Sequence, residues 1–296
     1  MTTSVVPPVL QELQQKVQRL GSLVAFSHSV FALPFALIMV LVVSRERAVS
    51  SQQLAALVVC VVAARTAAMA FNRLVDARLD AQNPRTQGRE LPVGRVSSRE
   101  AVVLCGASVL VFLSAAWLLG LHSLKLTPVV LLFLLGYSFL KRYTILCHFV
   151  LGVALALAPG GVWYALTAEW SWLPVSLMVA VLFWVAGFDI LYSCQDIDFD
   201  RSHGLFSVPS RWGYNVARSV ASVLHALTIG ALLVFGADFQ LGFVYSVGVT
   251  VFSILLASQH IAVARRGVGC IDRVFFTRNG AASVVLFLFV LAERFL

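Results

Sequence analysis

Charge is what this chain has least of. Only 12% of its 296 residues are charged while 59% are hydrophobic, so polar side chains cannot cover a globular surface and a soluble class is excluded. Cysteine is also sparse. Cys60, Cys105, Cys147, Cys194 and Cys270 show no paired spacing and mostly lie in or beside apolar runs, which indicates neither a disulfide framework nor a zinc site. Acidic residues number 14 against 22 basic ones, and the net charge of +8 would suit nucleic acid if the basic residues did not follow a different pattern, given below. A cleavable leader is not expected, because a polar stretch of 22 residues precedes the first apolar run and no small-residue cleavage pattern follows that run.

What is present is a series of long apolar runs. Segments long enough to cross a bilayer occur at about 23–43, 54–75, 101–121, 124–140, 144–166, 174–194, 216–236, 241–264 and 274–293. The expected fold is therefore all-α: an integral membrane bundle of about nine transmembrane helices. Placing the N-terminus inside puts 17 of the 22 Lys and Arg on one side, among them the six from Arg73 to Arg99, whereas Arg45, Arg47, Lys125 and Arg294 fall on the other and Arg65 lies within a span. The positive-inside rule then gives a cytoplasmic N-terminus, and the basic residues answer to the lipid bilayer and not to nucleic acid. Before the first run, Leu10, Leu13, Val17 and Leu20 recur at helical spacing among polar residues, so 1–22 is expected to be an amphipathic helix in the membrane interface, followed by a transmembrane domain over 23–296. Inside segments 76–100 and 195–215 are long, polar and punctuated by Gly and Pro, and function is expected in these cap loops.

Two acidic clusters sit where apolar runs end. Asn72, Asp76 and Asp80 are spaced by four, as are Asp196 and Asp200, so each set falls on one helical face; Asp198 is out of phase with its neighbours. Carboxylates that converge repel one another unless cations lie between them, and an oxygen-only donor set suits Mg2+, which keeps several waters and binds substrate phosphates. The pattern reads as a metal-diphosphate site.

The stretch Asn72-Arg-Leu-Val-Asp76-Ala-Arg-Leu-Asp80 resembles the first aspartate-rich motif of the UbiA-type aromatic prenyltransferases, and Asp196-Ile-Asp-Phe-Asp200 resembles their second. Tyr137-Ser-Phe-Leu-Lys141-Arg142-Tyr143-Thr144 is similar to that family's segment between the fourth and fifth spans. One departure is Arg73, where the family motif usually carries Asp. The resemblance implies Mg2+-dependent transfer of a prenyl group from a polyprenyl diphosphate to an aromatic acid or phenol, 4-hydroxybenzoate or a dihydroxynaphthoate-type quinone precursor, at the cytoplasmic face of a bacterial inner membrane. It also implies that Mg2+ held by Asn72, Asp76, Asp80, Asp196 and Asp200 bridges the phosphates, with Arg89, Lys141 and Arg142 as candidates for direct phosphate contact ahead of Arg78, Arg85 and Arg201.

Arg65 and Asp189 lie inside spans, where a charge costs ~2.5–3.5 kcal/mol on insertion scales and needs an interior cavity and partners. Each precedes its acidic set by seven residues and shares its face about two turns deeper. Two readings stand: Arg65 orients the aromatic acceptor while Asp189 orients it or removes a proton, or the two neutralise each other as a buried pair. Tyr192, one step before Asp196, is placed to shield an allylic cation or touch the diphosphate, and His28 is a further candidate wall residue. A membrane transporter also uses intramembrane Arg and Asp, but it explains the acidic stripes poorly.

Overall fold

The computed structural model describes residues 18–24 and 31–295, the side chains of 273–276 excepted. His28 and most of the expected interfacial helix lie outside these residues. Residues 18–23 are helical, and Leu20 and Leu23 pack against Leu74, Leu91, Val96 and Ala101.

The described chain is helical throughout. In order come α1 (Leu33–Val43), α2 (Ser51–Gln82), α3 (Ser98–Leu118), α4 (Leu121–Leu140), α5 (Cys147–Thr167), α6 (Val175–Ser193), a 3-10 turn (Cys194–Asp196), the short α7 (Ile197–Ser202), α8 (Val208–Asp238), α9 (Phe243–Arg266) and α10 (Ile271–Glu293). Among the described residues, seven helices are long and apolar enough to cross a membrane; α1, at 11 residues, and α10 stand outside that count. Three of the helices start where the sequence supplies partners for their free donors. Ser50 with Gln53, Ser97 with Glu100 and Ser207 with Ser210 form capping boxes that satisfy the free N–H groups of α2, α3 and α8.

Successive helices pack side by side from α1 to α6, α8 follows α6, and contacts between α10 and α1 close the ring. With little hydrophobic drive between helices in lipid, close backbone approach holds such a bundle together. Gly152 on α5 shows it: a Cβ there would lie 2.5 Å from the Leu182 carbonyl oxygen of α6. α6 is the most enclosed span, and its fully buried Trp184 packs on Phe31, Phe35, Phe188 and Phe252 while donating its ring N–H to the Asn279 Oδ1 at 3.1 Å.

α8 starts at Val208, inside the expected 195–215 cap loop, and two further differences from the sequence expectation bear on the acidic sets. α2 runs to Gln82, so Asp76 and Asp80 sit on a continuous helix and the irregular loop begins only at Asn83. Its polar last turns look like loop by hydropathy, but they stay helical with Asp76 and Asp80 turned into a polar cavity and ion-paired there instead of facing lipid. At the second cluster the reverse occurs: Asp196 ends a 3-10 turn with φ −108° and ψ 12°, and Asp200 belongs to the separate α7. The two share a cavity without sharing a regular helix.

Candidate active site

One cavity of about 260 Å3 opens where α2, α4, α5, α6 and α7 meet, and both acidic sets line it. Of the eleven residues given leading site roles by sequence, ten line this cavity: Arg65, Asn72, Asp76, Asp80, Arg89, Lys141, Asp189, Tyr192, Asp196 and Asp200; of the lower-ranked arginines Arg85 lines it, and Arg78 and Arg201 do not. Arg142 is the exception. Its guanidinium is held by the Ser138 and Val75 carbonyl oxygens and by Asp76 Oδ1 at 2.9 Å, so it lies behind the carboxylate. Asp198 is exposed and does not line the cavity.

The four-residue step of α2 explains the first wall. Asn72, Asp76 and Asp80 project from one face, with Asp76 and Asp80 buried, and the Asn72 amide donates to Asp76 Oδ2 at 3.2 Å. Buried carboxylates need compensation. Asp76 obtains it from Lys141 at 2.7 Å and from Arg142, and Asp80 from Arg89 at 2.7 Å. The Asp80 Oδ2 is buried without a hydrogen-bond partner among the described residues.

The segment after α2 ties the two acidic sets together. Asn83 caps the helix end, and its side-chain oxygen accepts from the Arg85 N–H at 2.9 Å, an Asx turn that Pro84 stiffens. The Asn83 amide and the Arg85 guanidinium then both donate to Asp196, and Arg85 also reaches the Tyr192 hydroxyl at 2.9 Å. Burial disfavours the charge of Arg85, but the hydrogen bonds and charge of Asp196 outweigh it and hold the guanidinium above the ordinary arginine range. Asp200 accepts from the Ser207 hydroxyl at 2.8 Å.

Of the two readings for Arg65 and Asp189, the mutual buried pair is not formed. Asp189 Oδ2 is bonded to His148 Nδ1 at 2.7 Å, and Arg65 makes no ion pair with any described residue, its buried Nε lacking a partner. The reason is the fold: His148 at the start of α5 reaches Asp189 first. Arg65 instead stands, with Tyr137, Leu151 and Leu155, between this cavity and a second, apolar one of about 120 Å3 walled by α2 to α5. Arg73, buried on the cavity wall, donates from Nε to the Leu23 carbonyl at 3.3 Å and has no carboxylate partner among the described residues.

Sequence reasoning missed four contributors. Asn83 and Thr86 belong to the loop Asn83-Pro-Arg-Thr-Gln-Gly-Arg89, whose turn chemistry was the available signal. Tyr137 stood in a recognised motif without a role. His148 gave no signal, being a lone His in an apolar run whose partner lies 41 residues away.

Does the donor set suit a hard divalent cation? As the side chains stand, no three His, Cys, Asp or Glu among the described residues converge as a metal-holding group. Arg85, Arg89 and Lys141 occupy the carboxylates instead. The donors are nonetheless oxygen only, and Asp80 keeps a buried oxygen without a partner, so the chemistry fits Mg2+.

The sequence signature of the UbiA prenyltransferase family matches residues 32–281. A 4-hydroxybenzoate octaprenyltransferase of Pseudomonas syringae pv. tomato is 32% identical over 234 residues, 77% of each chain, and one of Hahella chejuensis is 29% identical over 252 residues, 84% of this chain and 82% of that one. The solved apo structure of a UbiA homologue from Aeropyrum pernix superposes with a TM-score of 0.82 at 32% identity, covering 90% of this chain and 98% of that one. A UbiA homologue from Archaeoglobus fulgidus, solved bound to DMAPP and Mg2+, shares the fold with a TM-score of 0.65 at 18% identity, covering 94% and 99%.

Proposed function

Because the chain belongs to the UbiA prenyltransferase family, we propose that it transfers a polyprenyl group from a polyprenyl diphosphate to an aromatic quinone precursor of the 4-hydroxybenzoate type. The reaction takes place at the cytoplasmic face of a bacterial inner membrane and requires Mg2+. The observation that carries this reading is the single cavity lined by both acidic sets at one end and adjoining apolar space beyond Arg65 and Tyr137 at the other. A diphosphate with a hydrocarbon tail needs such a division of polar and apolar walls.

Asn72, Asp76, Asp80, Asp196 and Asp200 would hold the cation, which when bound supplies positive charge to the departing diphosphate. Arg89 and Lys141 line the cavity on short ion pairs and are positioned to exchange a carboxylate for a phosphate oxygen. Arg142 keeps Asp76 in place from behind, and Arg73 adds a fixed charge to the same wall. The allylic cation left by diphosphate departure is stabilised by the Tyr192 ring. Arg65 reads the acceptor's carboxylate, for which its uncommitted fork is suited, and Asp189 takes the acceptor's proton.

Membranes containing the protein, supplied with labelled polyprenyl diphosphate and 4-hydroxybenzoate, should form prenylated acid with Mg2+ and none after chelation. Absence of product in the presence of Mg2+ refutes the reading.

A further inference from the structure

We infer that His148 is a positioning residue, holding the Asp189 carboxylate in the one orientation from which its free oxygen meets the acceptor's proton. The inference rests on the prenyl-transfer reading above and concerns a side chain that reading does not use.

The ring of His148 is almost fully buried, in the first turn of α5, and both of its nitrogens are engaged. Nδ1 meets Asp189 Oδ2 at 2.7 Å, and Nε2 receives the backbone N–H of Val208 at 3.2 Å. A backbone N–H can only donate, so Nε2 carries the lone pair and the ring proton sits on Nδ1, from which it donates to Asp189. The tautomer is therefore set by the first residue of α8, whose N–H is one of the few backbone donors that a helix leaves free.

The arrangement is directional. A histidine that merely packs needs one partner for its polar edge, whereas here a helix start, an imidazole and a carboxylate lie in line and end at the cavity. Asp189 Oδ1 has no partner among the described residues and Asp189 lines the cavity. Asp189 is also, with Asp200, one of two cavity aspartates that no Lys or Arg neutralises among the described residues, and its Oδ1 lies on a carboxylate two turns deeper than the proposed cation ligands. The adjacent Ser207 bonds Asp200, so the same two-residue stretch at the head of α8 fixes both carboxylates.

In the step itself, the C–O bond of the prenyl diphosphate breaks and the diphosphate leaves with the electron pair. A ring carbon of the acceptor forms the new C–C bond to the allylic carbon. The hydrogen on that ring carbon passes as a proton to Asp189 Oδ1, which restores aromaticity, and the carboxylic acid later loses it to water. His148 exchanges no proton; it supplies the donor that keeps Oδ2 occupied and Oδ1 aimed.

The test uses the full-length enzyme with geranyl diphosphate, 4-hydroxybenzoate and Mg2+, comparing three variants and one control. His148→Leu removes both contacts. His148→Gln can donate from its amide and accept at its carbonyl. Val208→Pro deletes the N–H at a helix position that tolerates proline, while also reshaping a buried apolar side chain, and Val208→Ala, which keeps the N–H, is the packing control. The expected kcat falls about 30-fold for His148→Leu and about fivefold for Val208→Pro, and stays within about threefold for His148→Gln, magnitudes suited to misplacing a general base. The KM for geranyl diphosphate should change less than about twofold in all three, because His148 touches none of the groups proposed to grip the diphosphate. In an Asp189→Asn background, His148→Leu should lower kcat no further. Should His148→Leu fail to accumulate in membranes, Val208→Pro and its Asp189→Asn double variant carry the decision. Wild-type kcat in His148→Leu or in Val208→Pro, or full additivity with Asp189→Asn, overturns the positioning role alone. A wild-type enzyme that makes no prenylated product overturns the prenyl-transfer reading beneath it.

Discussion

Replacing Arg65 tests the acceptor end of the cavity, and the structure fixes what to expect. Arg65 forms no ion pair with a described residue and its buried Nε has no partner. An arginine so placed contributes nothing to folding through pairing, and a charge inside a span costs ~2.5–3.5 kcal/mol on insertion scales. Arg65→Met should therefore leave the protein at least as stable as wild type, measured by thermal aggregation in detergent. Its effect belongs to binding. A hydrogen bond from a charged group contributes about 1.5–3 kcal/mol, and about 1.4 kcal/mol is a factor of ten, so Arg65→Lys, which keeps the charge but loses the fork, should raise the KM for 4-hydroxybenzoate roughly 10- to 150-fold. Phenols without a carboxylate should lose much less, and prenyl diphosphate KM should stay unchanged. The assay is steady-state turnover with each substrate varied in turn. An unstable Arg65→Met, or an unchanged 4-hydroxybenzoate KM in Arg65→Lys, would refute the reasoning.

Two further outcomes follow from the polar end. Asp76→Ala, Asp80→Ala, Asp196→Ala and Asp200→Ala should each lower turnover at limiting Mg2+ by at least about 100-fold while the exposed Asp198→Ala stays near wild type, scored by labelled prenyl transfer in membranes; equal effects at all five would remove the special status of the cavity set. Lys141→Ala should raise the KM for prenyl diphosphate, whereas Arg142→Ala, behind Asp76 and bonded to two carbonyls, should lower stability and kcat with a smaller change in that KM; the melting temperature and the two KM values separate them.

Much of this was legible in the chain. The apolar runs located the long helices, though the polar ends of α2 and α8 extend seven or eight residues beyond them, and a step of four on α2 put Asn72, Asp76 and Asp80 on one wall because a continuous helix carries them. The same arithmetic placed Asp196 and Asp200 together for the wrong local reason, since the 3-10 turn between α6 and α7 is set by packing and leaves no mark in hydropathy. Arg65 and Asp189 invited pairing because each is a lone charge in a lipid-length run. That argument knows depth but not azimuth, and His148, invisible as a ligand by spacing, was closer.

The latch at Asp196 changes how a loss of activity there must be interpreted. Asn83 and Arg85 both bond this one carboxylate, and four residues further on Arg89 holds Asp80. Truncating Asp196 therefore releases the strap between the two acidic walls, and the disturbance travels along five residues of chain to the opposite wall. A dead Asp196 variant reports a broken hinge pin as readily as a missing ligand. Asp200, held among the described residues only by Ser207 from its own side, is the cleaner probe, and the contrast between the two distinguishes mechanical from chemical failure.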